Sequence, residues 1–267
     1  MNLLLLEAAE VGDDGRVELA GRRAEHLRKV LKVGVGDAVR AGVIDGARGT
    51  ARVASVAPGA VAVVFEPGDA VDDGTDGDPL ESRRARRPPL DLLVALPRPQ
   101  VLHRVLQTAA VLGVRRLDLV NAWRVEKSYF QSPSATPERI RRELRLGAEQ
   151  GMTTRLPVAT LHPRLLPALE RLASEQVDEL CLLAHPNAPR PIEDLVRGRA
   201  ARRPVRLAIG PEGGWVEREV ATFRDHGFDV VDLGPWVLRV EFAVAAALAQ
   251  IDLLRRSGPE GGGSMPW

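Results

Sequence analysis

Three segments rich in glycine and proline contain the residues whose types and spacing could do chemistry. Each follows an apolar run typical of a buried strand: residues 182–187 (LLAHPN), 208–215 (AIGPEGGW) and 233–243 (LGPWVLRVEFA). Glycine lets a ligand approach bare backbone, and free N–H groups ahead of a helix can bind an anion or the polar edge of a cofactor. The 208–215 segment has neither G-x-G-x-x-G spacing nor a Lys-Ser/Thr pair, so it matches no dinucleotide or P-loop fingerprint.

Two of these segments also have an ordinary structural interpretation. The letters GPEGG at 210–214 recur at 258–262 without a predicted strand or helix beside them, so the pattern alone could be a plain strand-to-helix turn. Arg239 and Glu241 lie in an apolar stretch, where a charge is costly unless it is paired. They are either structural, as a salt bridge or as helix-end charges, or a polar pair facing a cleft.

The elements that must position these segments alternate between strand and helix. Residues 90–96 form an apolar run typical of a buried parallel strand. Thr136 and Pro137 offer an N-cap and a first helical residue. The pattern predicts strands at 117–120, 180–184, 205–209 and 229–233, and helices at 101–112, 136–150, 217–226 and 242–254. This is an open α/β sheet, in which ligands bind at the carboxyl ends of strands.

The first part of the chain is rich in short β segments. The pattern predicts strands at 1–7, 39–41, 49–56 and 60–65, with a basic helix-like piece at 25–32. Several short strands with turn signals between them favour a small barrel. We therefore expect a β-barrel domain at 1–67, a flexible linker at 68–88, an α/β domain at 89–256 and a disordered tail at 257–267.

The linker joins a Gly/Asp-rich stretch to an arginine-rich one. Residues 68–78 carry almost no bulky apolar side chain and cannot offset their ordering entropy. Residues 83–87 add four arginines, which either are solvated or contact RNA phosphate.

Composition excludes several classes of protein. The 267 residues suit two domains, and the single cysteine favours a reducing compartment, so we expect a cytoplasmic location. We expect no membrane contact, because no apolar run approaches the length of a membrane span. The five histidines show no close metal-ligand spacing, so we expect no metal. One tyrosine and five phenylalanines make a surface that stacks many bases improbable.

Ordered motifs give the chain a resemblance to a known family. The segments GPEGG at 210–214, LGP at 233–235 and LRVE at 238–241 resemble the RsmE family of SPOUT methyltransferases. Further similar pieces occur in the same order, at 26–31, 35–37, 95–98, 112–114, 148–150, Pro157 and 185–186. The resemblance spans roughly residues 3 to 254.

The resemblance implies a fold and an activity beyond the pattern. It implies a PUA-like β-barrel domain ahead of a SPOUT-type α/β domain with a deep trefoil knot. It also implies a homodimer that methylates N3 of a uridine in small-subunit (16S) rRNA with S-adenosyl-L-methionine (SAM), each site being completed by the partner subunit. The implied cofactor-binding residues are Leu183, Ala184, His185, Ile209, Gly210, Pro211, Glu212, Gly213, Gly214, Leu233, Gly234, Leu238 and Arg239.

The remaining site candidates concern catalysis and RNA. Arg239 is the candidate for stabilising the uridine anion or binding RNA phosphate, and Glu241 is the candidate for orienting Arg239 or for acting as the base. The densest basic cluster of the first domain lies at residues 22–32. It is either a solvated helix face or a surface that contacts RNA phosphate. The RNA-binding candidates are Arg22, Arg23, His26, Arg28, Lys29, Lys32, Arg98 and Gln150.

Three departures from the family pattern keep alternatives open. Trp236 stands where an arginine is usual, and Val240 and Phe242 replace two threonines. The chain could therefore be an RNA-binding relative without SAM, with rings filling a dead site. It could also be a methyltransferase on another RNA or base, or an unrelated α/β enzyme that binds a nucleotide at the glycine segment.

Overall fold

A computed structural model describes residues 2–68, 87–175, 178–186, 188–197 and 202–256. The chain divides into two compact units: residues up to 86 with 144–156, and residues 87–143 with those from 157 onward. Most of the predicted linker (69–86) and the predicted tail (257–267) lie outside the described residues. None of the helices within these ranges is long and apolar enough to cross a membrane.

The first unit contains a mixed β-sheet. Its described strands, in the order β1-β3-β4-β5-β2 across the sheet, are β1 Leu4–Leu6, β2 Arg16–Ala20, β3 Ala38–Val43, β4 Arg48–Ala57 and β5 Ala60–Pro67. β1 pairs with β3 in parallel and the other pairs are antiparallel. The predicted strands are confirmed, and β2 is an addition that sequence reasoning missed. No pairing among the described residues joins β1 to β2, so closure into a barrel stays a prediction.

The basic helix-like piece is two short elements. Helix α1 spans Gly21–Glu25, and a π-helical turn continues it over His26–Val30. Ala24 and Leu27 are buried in the core of this unit, whereas Glu25, Lys29 and Lys32 are exposed. A short 3₁₀ helix spans Ala8–Glu10.

The second unit contains a parallel sheet. Its described strands, in the order β11-β9-β10-β6-β7-β8, are β6 Leu90–Ala95, β7 Arg116–Val120, β8 Val158–His162, β9 Leu180–Ala184, β10 Val205–Ile209 and β11 Asp229–Val231. Each pair of neighbours is parallel. All the strands predicted here are confirmed, whereas β8 was not predicted.

Helices accompany this sheet. The described helices after α1 are α2 Pro99–Val111, α3 Lys127–Phe130, α4 Pro137–Gly151, α5 Leu165–Ser174, α6 Glu217–Asp225 and α7 Val240–Arg256, with 3₁₀ turns at Pro133–Ala135 and Ile192–Asp194. The predicted stop of α2 at Gly113 is confirmed by its φ of +73°. The predicted N-cap of α4 is confirmed, since Thr136 Oγ1 accepts from the Arg139 N–H at 3.4 Å.

Strand direction determines where the loops emerge. Because neighbouring strands run in parallel, the segments after β9, β10, β11, β6 and β7 all leave the sheet at its carboxyl edge. β10 lies between β9 and β6, with Ile209 opposite Val94. Strand order does not decide whether the chain threads a loop, so the trefoil knot stays a prediction.

Candidate cofactor and active site

The three glycine-bearing segments converge on one pocket at the carboxyl edge of the parallel sheet. This pocket, called here the loop pocket, encloses about 220 Å³ and is lined by residues 184–186, 209–215, 232–234, 236–238, Val240 and Ala243. The predicted cofactor residues on its wall are Ala184, His185, Ile209, Gly210, Pro211, Glu212, Gly213, Gly214, Leu233, Gly234 and Leu238. Two predicted residues are not on the wall: Leu183, which is fully buried in β9, and Arg239.

The second segment folds back over its own tryptophan. The Gly214 N–H donates to the Pro211 carbonyl at 2.8 Å, and Gly214 has a φ of +73° that favours glycine. Trp215 is buried and packs edge-on against Phe223, with 4.8 Å between ring centroids. A Cβ added at Gly210 would lie 3.0 Å from Trp215 Nε1, so the indole needs a bare backbone at this position.

The third segment is fixed at its start and exposed beyond it. The Gly234 N–H donates to Asp232 Oδ1 at 3.0 Å, and Gln250 on α7 donates to the Leu233 carbonyl at 2.8 Å. Gly234 has a φ of +124°, a conformation that side chains rarely adopt. Trp236 is 79% exposed on the pocket rim.

His185 shapes the first segment. Its Nδ1 lies 2.7 Å from the Pro186 carbonyl oxygen, which can only accept, so Nδ1 is the donor in this contact. The His185 N–H donates to the Val231 carbonyl at 3.0 Å, which joins this segment to the end of β11.

The two predicted catalytic residues have different surroundings. Arg239 is exposed, and its carbonyl accepts from the Ala243 N–H at 2.8 Å in the first turn of α7. Glu241 is buried, and its carboxylate pairs with Arg104 on α2 at 3.4 Å. Among the described residues no ion pair joins Glu241 to Arg239, so the structure does not support the expectation that Glu241 orients Arg239. Glu241 therefore matches the structural alternative, because its carboxylate forms a salt bridge at the start of α7.

Sequence reasoning missed a fourth segment at this edge. Residues 121–126, called here the Trp123 loop, follow β7 and contact the pocket wall: Arg124 Nη1 donates to the Gly213 carbonyl. Arg98, which follows β6, donates its backbone N–H to Glu212 at 3.2 Å, so this predicted RNA-binding residue lies beside the loop pocket. The available signal was the position of Trp123 and Arg124 three and four residues after the apolar strand β7.

The basic candidates of the first unit fall into two groups. Arg22 donates to both carboxylate oxygens of the buried Glu149 at 2.8 Å, and Arg23 pairs with Glu10. Lys29 pairs with Glu25 at the surface at 3.1 Å. Among the described residues, Arg28 and Lys32 form no ion pair.

Two further candidates of the first unit contribute little charge. Burial lowers the pKa of His26 below its ordinary value of 6.5, which favours the neutral ring at pH 7. Gln150 is exposed, and its carbonyl accepts from the Asn2 side chain at 3.2 Å. Within the described ranges, no group of three or more His, Cys, Asp or Glu side chains could hold a metal ion.

Comparison with known proteins assigns the family. An RNA methyltransferase domain model matches residues 85–252. The ribosomal RNA small subunit methyltransferase E of Treponema pallidum is 32% identical over 257 residues, covering 94% of this chain and 90% of the relative. The chain belongs to the RsmE family. The RsmE 1 protein of Borreliella burgdorferi is 26% identical and covers 92% of this chain and 95% of its own length.

A solved RsmE structure shares this fold. The Neisseria gonorrhoeae enzyme, crystallised bound to SAM, superposes with a TM-score of 0.73 at 24% identity, covering 95% of this chain and 98% of that one. The departures of this RsmE-family chain leave the loop pocket open. Trp236 and Phe242 are 79% and 58% exposed, whereas Val240 is buried on the pocket wall.

Proposed function

We propose that this chain transfers a methyl group from SAM to N3 of a uridine in small-subunit rRNA, working in the cytoplasm. The observation that carries the proposal is the convergence of three glycine-bearing segments on one pocket, in a chain of the RsmE family. A dead site filled by aromatic rings is disfavoured by the exposure of Trp236 and Phe242.

The walls of the loop pocket fit SAM. Bare backbone at Gly234 leaves room for the polar edge of a folded cofactor, and Ile209, Leu233 and Leu238 supply apolar surface for a flat ring. When bound, SAM supplies an electrophilic methyl group on a sulfonium. The chain's own task is to hold the acceptor nitrogen in line with that group.

Arg239 is the residue we assign to the acceptor. The N3 proton of uridine is weakly acidic, so the site must favour the anion that forms as this proton leaves. A guanidinium is charged at any working pH and can donate to a carbonyl oxygen of the uracil ring, which lowers the cost of that anion. Arg239 is exposed beside the pocket and, among the described residues, forms no ion pair. We assign Glu241 to holding the start of α7 through Arg104.

The test separates cofactor binding from methyl transfer. The Arg239→Ala variant should bind SAM by calorimetry as the parent does, and should methylate small-subunit rRNA at least about tenfold more slowly. Arg218→Ala is the matched control, because Arg218 is an exposed arginine on α6 that is absent from the pocket wall. Full activity of Arg239→Ala would remove Arg239 from the mechanism.

The target base needs its own experiment. Primer extension on rRNA from a strain that lacks this protein should show the loss of one stop, at a uridine, and restoration by the parent gene. A stop at another base would favour methylation of a different nucleotide. Absence of any heat on titration with SAM would favour the RNA-binding module, and binding of ATP or NAD in its place would favour a nucleotide enzyme.

We also propose a homodimer in which the partner completes the site. Trp236, Val237 and Phe242 are 79%, 87% and 58% exposed, and such neighbouring apolar side chains are typical of a surface that another molecule covers. Light scattering during size exclusion should give twice the chain mass, and Val237→Glu should shift the mass towards one chain.

The finer description of the fold belongs to the same proposal. We assign residues 1–67 to a PUA-like RNA-binding barrel, 68–88 to a linker and 89–256 to a SPOUT domain whose chain threads a trefoil knot. The mixed sheet of the first unit and the parallel sheet of the second support this assignment.

A further inference from the structure

The Trp123 loop holds an aromatic side chain beside the loop pocket. Strands β10, β6 and β7 are neighbours, and Ala95 lies opposite Val120 where β6 and β7 end. The Trp123 loop and the 210–214 segment therefore leave the same edge with one strand between them. Arg124 rests on the pocket wall, because a Cβ added at Gly213 would lie 2.9 Å from Arg124 Cδ.

The backbone of this loop is fixed while the indole is not covered. The backbone N–H of Trp123 donates to Glu219 Oε1 at 2.7 Å. The other oxygen of that buried carboxylate accepts from the backbone N–H of Val216 at 3.0 Å. The flanking residues Ala122 and Val125 are 8% and 7% exposed, whereas Trp123 is 78% exposed. A single exposed apolar residue is ordinary. Here, however, a buried carboxylate holds the backbone N–H of the tryptophan, at the edge of the sheet where the loop pocket lies. This arrangement suggests a specific role for the indole.

We propose that Trp123 is the platform on which the acceptor nucleobase stacks. The inference rests on the proposed RNA methylation, and it assigns the base to the side of the loop pocket that Arg124 and Gly213 form. A pyrimidine offers a flat ring to an indole, and such stacking tolerates any base. The sequence has few aromatics, so one exposed indole on a fixed backbone suits a site that takes one base rather than a strand.

The platform predicts a separation between RNA affinity and turnover. Trp123→Ala should raise KM for small-subunit rRNA about tenfold, the effect of losing one base stack. The kcat at saturating RNA should stay within about twofold, and SAM binding by calorimetry should not change. Trp123→Phe should recover most of the affinity, whereas Trp123→Leu, which is apolar but cannot stack, should not.

A matched control and a direct signal complete the test. Val158→Ala removes an apolar side chain that is 65% exposed at the start of β8, the opposite end of the sheet, and should leave KM unchanged. Rising concentrations of a uridine-containing RNA should quench a fluorescence component that Trp123→Phe lacks.

Several results would overturn the platform. One is an unchanged KM in Trp123→Ala, and another is equal KM values for the Leu and Phe variants. Loss of SAM binding or a change of oligomeric mass in Trp123→Ala would also overturn it. These outcomes differ from failure of the proposed function, in which the parent protein itself neither binds SAM nor methylates rRNA.

Discussion

Several arginines of the first unit form ion pairs with carboxylates. Arg22 Nη2 contacts both oxygens of the Glu149 carboxylate, which is 2% exposed, and Arg145 lies 3.6 Å from the same group. A buried carboxylate without a cation would be strongly destabilising. These arginines therefore contribute to folding, and their charges are only partly available to RNA.

The pair between Arg23 and Glu10 gives the first unit a defined pH dependence. The Arg23 hydrogen bond lowers the pKa of Glu10 below its ordinary value of 4.5. Since the folded state binds the proton less readily than the unfolded state, this stabilisation is present above about pH 4.5 and is lost as the pH falls through the lowered pKa. Glu10→Gln should cost about 1–2 kcal/mol at pH 7, and this difference should shrink below pH 4.5.

Urea unfolding of the two proteins at several pH values measures this difference. Glu18→Gln is the control, because its pair with Arg16 is exposed on both sides and such pairs contribute about 0–1 kcal/mol. A cost for Glu10→Gln that is constant from pH 7 to pH 3 would contradict the linkage.

The single cysteine should be slow to react. Burial in β9 raises the pKa of Cys181 to about 11. Because the thiolate is the reactive form, alkylation by iodoacetamide at pH 8 should be on the order of 100-fold slower in the native protein than in denaturant. Mass spectrometry reports this site alone, since the sequence has one cysteine. Equal rates in the two states would mean that the thiol is not shielded.

At the scale of elements, Glu219 joins the start of α6 to the Trp123 loop. Its two oxygens accept from Trp123 and Val216, which are 93 positions apart in the chain's numbering. Glu219→Ala should destabilise the second unit by about 1–3 kcal/mol, because two donors lose their acceptor. It should also speed hydrogen exchange at the Trp123 amide.

The neighbouring helix position provides a matched control for Glu219. Glu217 lies in the same first turn of α6, but its side chain is 89% exposed. Glu217→Ala should therefore leave exchange at Trp123 unchanged. Equal exchange at Trp123 in the Glu219→Ala variant and the parent would show that the carboxylate does not hold the loop.

The sequence was informative about elements that are buried on both faces. The strands β6, β9 and β10 are mostly apolar, and the glycine segments that follow β9, β10 and β11 could be placed because parallel strands end at one edge. β8 was missed because its residues alternate between exposed and half-buried up to the buried His162, and because Pro157 and Pro163 lie at its ends.

Contacts over long sequence separation could not be predicted. Glu241 pairs with Arg104, which lies 137 positions away, and nothing in the sequence around Glu241 indicates that partner. The same limit applies to residues 144–156, which pack in the first unit although they follow the α/β pattern in sequence. Local periodicity carries no signal for such pairings, because they depend on which surfaces meet after folding.

At the scale of the whole molecule, the net charge of +1 gives no general attraction for RNA. Affinity must come from local cations that carboxylates do not already neutralise. Within the described part of the first unit, Arg28 and Lys32 fit that requirement, whereas Arg22 and Arg23 are paired. Val30 and Val35, which are 63% and 70% exposed, lie on the same stretch of chain.

This distribution of charge predicts two different kinds of variant. A plot of log affinity against log salt concentration has a negative slope. Arg28→Gln and Lys32→Gln should each reduce the magnitude of that slope by about one, because each variant loses one phosphate contact. Filter binding of small-subunit rRNA between low and physiological salt measures that slope. Arg22→Gln should instead lower the urea midpoint, because it leaves Glu149 short of a cation. If the slope were the same in the parent and in the Arg28 and Lys32 variants, RNA would have to bind elsewhere on the molecule.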